Sequence, residues 1–148
     1  MKRRLVVARI LIFEGILLLM AAAIHFAVVP TLRRILAQWL SPDEFNLVSP
    51  PFFLNHVVVG VLLAAVGATT VYSSSGIRAG ERWAWVVAMV NGLAILCLPL
   101  ALFWIMPAHY FRAIPFLVAA ILVTLVGLSM VWPLLWIRSE FHNERSSR

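Results

Sequence analysis

Five polar side chains, Glu14, His25, Asn55, His56 and Asn91, stand inside long apolar runs of this chain. Ionisable and amide groups are costly in hydrocarbon, so positions of this kind are functional candidates by default. If His25 and His56 sit on two neighbouring antiparallel helices, both imidazoles reach a similar depth near one end. His109 can approach them from a third helix. Two histidines on two helices are a normal way to hold a b-type haem, and Arg33, Arg34 and Arg112 on the same side offer partners for its propionates. Nearly the same residues suit a transition metal, with His25, His56 and His109 joined by Asp43 or Glu44 as a fourth ligand. A quinone or lipid headgroup is a further candidate occupant. No two of these histidines have the i, i+4 spacing that alone suggests a metal pair. The plainer alternative is that they bond backbone carbonyls, headgroups or each other across helices.

Glu14 forms a second layer, eleven residues before His25 and so about 16 Å away along a helix. Asn91 is expected at a comparable depth as its hydrogen-bond partner, with Arg82 or Arg138 able to reach toward the carboxylate. A buried carboxyl in the first helix is also what a small proton-coupled transporter would use. The size and the intramembrane glutamate are shared with small multidrug-resistance transporters. Those proteins are shorter and lack a long outer loop, and no motif of theirs is matched here.

These residues must be positioned by membrane-spanning helices. The chain has 148 residues, 63% of them hydrophobic, and a mean hydropathy of +0.97, against roughly 45–50% apolar residues in soluble domains. A spanning helix needs about 20 mainly apolar residues, and four stretches qualify: 10–29, 52–72, 83–106 and 115–137. The expected fold is a single all-α membrane domain, a four-helix antiparallel bundle with a helical outer loop at 30–51. Ser73-Ser74-Ser75-Gly76 with Gly80, and Pro107 with Pro115, read as the turns of two tight hairpins. With the N-terminus inside, nine of the twelve basic residues fall on the inner side and only Arg33, Arg34 and Arg112 on the outer. By the positive-inside rule both termini are cytoplasmic, and a bacterial inner membrane is the expected location. Tyr72, Trp83, Trp85, Trp132 and Trp136 then mark the inner boundary, and Trp39, Trp104 and Tyr110 the outer one. This charge bias argues against a dual-topology dimer. Lys2-Arg3-Arg4 followed by an apolar run to Ala21-Ala22-Ala23 has the outline of a signal peptide, but the run continues to Val29 and carries Arg9 and Glu14. An uncleaved first helix is expected.

In the outer loop, Leu32, Ile35, Leu36, Trp39 and Leu40 recur at helical spacing. They describe either a short interfacial helix or a continuation of the first span past Pro30. Ser41-Pro42-Asp43-Glu44 has the pattern of a capping box, so a helix should start there, to be stopped by Pro50 and Pro51. Gly60, Ala64 and Gly67 form a small-residue stripe suited to close helix packing, and Gly127 with Ser129 offers another. Pro99 and Pro133 are expected to kink their helices.

The basic residues lie beside apolar runs and are not interleaved with aromatics, so no nucleic-acid partner is expected. The single Cys97 allows no intrachain disulfide. No hydrolase, kinase, dinucleotide or metalloprotease signature is present, which makes an enzyme the less favoured class. The favoured reading is an accessory or scaffold subunit of a larger membrane complex, whose partners are the lipid bilayer and other membrane subunits or further copies of the chain. A haem or metal protein, and a transporter using Glu14, are the alternatives.

Overall fold

The computed structural model describes residues 2–106, 112 and 114–141. Four α-helices account for nearly all of them: α1 (Lys2–Trp39), α2 (Pro42–Ala79), α3 (Arg82–Ile105) and α4 (Ile114–Trp136), followed by a 3-10 turn at Arg138–Phe141. Each helix is long and apolar enough to cross a membrane. The chain divides into two compact units, Gly15–Ala68 and Met1–Glu14 with Thr69–Arg148.

The connection expected at 30–51 is not a loop. α1 runs through Pro30 to Trp39, so of the two readings of that stretch the continuing helix is the one observed, and α2 begins at Pro42. Its start is the expected capping box. The Ser41 backbone N–H and hydroxyl donate to the Glu44 carboxylate at 2.9 and 2.7 Å, and the Glu44 N–H reaches back to the Ser41 hydroxyl oxygen at 3.4 Å. Pro50 and Pro51 do not stop α2, which continues through both. They remove two helical donors, but the carbonyls left without them belong to Asn46 and Leu47, both exposed, where other donors can reach them. The turn expected at residues 73–76 is likewise helical. The Ser73, Ser74 and Ser75 hydroxyls donate to carbonyls three residues back, at Thr70, Val71 and Tyr72, so each serine stays in the helix without an unpaired hydroxyl. The chain reverses only at Gly80, whose φ of +83° is open to glycine and strained for other residues.

In the unit Gly15–Ala68, α1 and α2 pair antiparallel. Gly67 faces Gly15 and Leu19, and Gly60 faces His25 and Phe26, so the small stripe of α2 is the surface that meets α1. In the other unit α3 buries Ala84, Ala88, Gly92, Ile95 and Pro99, a face of mostly small residues at helical spacing. It packs antiparallel on α4, with Gly127 against Leu96, Gly92 against Val131, and Trp85 Nε1–H donating to the Leu134 carbonyl at 2.9 Å. Large aliphatic side chains such as Leu62, Leu93, Leu122 and Leu128 point outward, while Thr70, Ser73 and Ala88 are buried. Large apolar side chains are also buried, among them Leu11, Ile77, Met130 and Leu134, so apolarity does not distinguish the outside from the inside. In a bilayer an outward leucine costs nothing, and the closest helix approaches are made at glycines. Arg4 closes this unit near the chain ends, donating to the Glu140 carboxylate and the Glu140 carbonyl, both at 2.9 Å.

Candidate functional site

In the unit Gly15–Ala68, His25 on α1 and His56 on α2 meet. Their rings stack with centroids 4.6 Å apart and planes 27° from parallel, and Phe52 extends the stack at 6.2 Å from His56. The antiparallel helix pair sets this depth, and Gly60, one turn from His56, leaves room for the His25 Cβ. His25 Nδ1 lies 3.0 Å from the Ala21 carbonyl, which can only accept, so Nδ1 carries the hydrogen of this bond. His56 Nε2 is shielded from solvent and has no hydrogen-bond partner among the described residues. The pair therefore offers two nitrogens not otherwise used. Axial ligation of a haem would need the two rings on opposite sides of a porphyrin, whereas here they lie face to face.

The remaining candidates for that layer are dispersed. Arg33, Arg34 and Asn55 are exposed, Arg33 two turns and more beyond His25 on α1, and Arg112 is exposed between α3 and α4. Asp43 is exposed. Glu44 is engaged by Ser41, whose side-chain and then backbone hydrogen bonds hold its carboxyl below the usual carboxylate range. His109 lies outside the described residues. Among those described, no group of three or more His, Cys, Asp or Glu side chains could hold a metal ion.

The Glu14 layer belongs to the other unit and is built differently from the expectation. Asn91 does not meet Glu14. Its side-chain amide donates to the Thr69 and Thr70 hydroxyls at 2.9 and 3.0 Å. Glu14, 6% exposed, has Ser129 of α4 as its partner, the serine hydroxyl lying 2.6 Å from Oε1. The same hydroxyl is 2.8 Å from the Val126 carbonyl, so its one hydrogen serves two acceptors. Glu14 Oε2 has no hydrogen-bond partner among the described residues. Glu14 and Ser129 border an open groove of about 500 Å³ between α1 and α4, lined also by Arg9, Ile10, Phe13, Trp132 and Pro133. Ser129 was legible only as a small residue, and Arg9 only as part of the basic end. The meeting of Ser129 with Glu14 spans 115 positions of sequence, and no local pattern announces it.

No protein-family model, curated protein or solved structure matches the chain.

Proposed function

We propose that this chain is an accessory or scaffold subunit of a larger membrane complex, and that it engages its partner through the tip of the α1–α2 hairpin. The observation that carries this reading is the apolar exposure of that tip. α1 and α2 each have 38 residues, about 57 Å of helix, against a hydrocarbon core of about 30 Å. With the bilayer on 10–29 and 52–72, the arms 30–39 and 42–51 each extend about 15 Å further, beyond the roughly 5–7 Å of a headgroup layer. On this placement Trp39, expected at the outer membrane boundary, stands instead about 15 Å beyond residue 29 and is 83% exposed, and Leu47, about 7.5 Å beyond residue 52, is 77% exposed. Lipid tails cannot cover side chains beyond the headgroup layer, and large apolar residues exposed together at one end of a hairpin mark a surface for a partner. The orientation that goes with this reading is cytoplasmic termini and an external tip in a bacterial inner membrane, supported by the nine-to-three division of basic residues.

A photo-crosslinking residue placed at 39 or 47 in native membranes tests the proposal, with position 62 on the lipid-facing side of α2 as the control. The expected result is a discrete adduct with a different membrane protein from 39 and 47 but not from 62. Adducts with lipid alone, or only with further copies of the chain, would overturn it.

A second reading is favoured by the two available nitrogens of His25 and His56: a metal ion held at the stacked pair after one ring turns. The Nδ1–H bond of His25 to the Ala21 carbonyl supports it, because a ligating imidazole commonly donates from its other nitrogen to a carbonyl.

A further inference from the structure

The groove at Glu14 carries an inference independent of the hairpin tip. Its walls are apolar, with Phe13 60% and Trp132 75% exposed, and its volume falls within the roughly 300–1,000 Å³ of small-molecule sites. It contains only a few polar groups. Arg9 is exposed and has no salt bridge among the described residues. On the helix rise it lies about 7.5 Å closer to the charged end of α1 than Glu14 does. The deeper groups are acceptors in need of a donor. Glu14 Oε2 has none, Oε1 shares one hydrogen with the Val126 carbonyl, and Pro133 has no N–H for the Ser129 carbonyl one turn before it.

An orphaned carboxylate oxygen in a water-soluble protein would be assigned to a bound water. With the bilayer on the apolar spans this groove borders hydrocarbon at the depth of Glu14, and leaving the oxygen unpaired there is costly. An occupant of the groove that carries a donor would satisfy that oxygen. The order of charges along α1 says what that is: an anionic head at Arg9, a hydroxyl or amide donor about one and a half turns deeper, and an alkyl chain along Ile10, Phe13, Trp132 and Pro133. We propose that the groove binds a membrane amphiphile of that class, an anionic lipid with a free hydroxyl just below its headgroup, as in a single-chain glycerophospholipid. An ordinary diacyl phospholipid carries esters at that level and would set further acceptors against Glu14.

The test uses the full chain in phosphatidylcholine nanodiscs and reads quenching of tryptophan fluorescence by a lysophosphatidic acid with a brominated chain. Saturable quenching is expected, and it should be lost in Trp132→Phe, which isolates the groove from the other five tryptophans. Removing the lipid's 2-hydroxyl should weaken binding about tenfold, the factor for one net hydrogen bond. Glu14→Met should erase that discrimination between the two lipids, and Arg9→Gln should weaken both alike. Inorganic phosphate should not compete, since it brings no chain. Equal binding of the hydroxyl and deoxy lipids by the native chain would overturn the proposal, even if the Glu14 variant failed to fold. Quenching that does not saturate, or that survives in Trp132→Phe, would overturn it as well.

Discussion

Gly67→Ala should loosen the α1–α2 pair. A Cβ built at Gly67 comes 2.8 Å from the Gly15 carbonyl oxygen and 3.1 Å from the Leu19 backbone nitrogen. The first contact is about 0.6 Å inside the 3.4 Å at which ordinary van der Waals contact begins. Both atoms are backbone on the facing helix, so no rotamer change can relieve the clash and the two helices must move apart. Overpacking of this kind costs about 1–3 kcal/mol. Alanine returns up to about 1 kcal/mol through its better helix propensity. The net expected loss is about 1–2 kcal/mol, read as a shift in reversible unfolding in mixed detergent micelles. Gly60→Ala is the internal control, because its Cβ would meet the end of the Phe26 ring at 3.0 Å, and that side chain, 41% exposed, can swing away. That Cβ would also lie 3.3 Å from the His25 Cβ, a mild crowding, so Gly60→Ala should cost clearly less than Gly67→Ala. If Gly67→Ala proves as stable as Gly60→Ala, the close backbone approach is not what holds the pair, and the reasoning fails.

Two further outcomes test the orientation and the histidine pair. A reporter active only outside the cytoplasm should work when inserted in the segment 38–46 and stay silent when inserted at Gly80–Glu81, since basic residues crowd the second turn; the reverse pattern would invert the topology. Detergent-purified protein should show no Soret band, and if the second functional reading holds it should carry about one metal ion per chain, lost in both His25→Ala and His56→Ala but kept in Glu14→Gln; a metal-free native chain would end that reading.

The positions of four membrane-crossing helices were legible in the sequence because the bilayer imposes length and apolarity on each segment separately, a local requirement that composition meets or fails. The capping box at Ser41 and Glu44 was legible for the same reason, as its partners are three residues apart. So was the meeting of His25 and His56, because both lie near the outer ends of the first two spans and antiparallel neighbours match in depth. Local rules misled where the surroundings outweighed them. Pro50, Pro51 and the serines at 73–75 are turn formers in isolation, yet each sits in a helix, the prolines where exposed carbonyls can find other donors and the serines with their hydroxyls bonded back to the helix. The choice of Glu14's partner lay beyond any local reading. Asn91, Arg82, Arg138 and Ser129 all stood at plausible depths, and depth along the membrane normal is all that span assignment yields. Within the α1–α2 pair and the α3–α4 pair, glycines mark the faces that turn toward one another. Tertiary packing therefore sent Asn91 to Thr69 and Thr70, placed Ser129 on Glu14, and left one carboxylate oxygen without a protein donor.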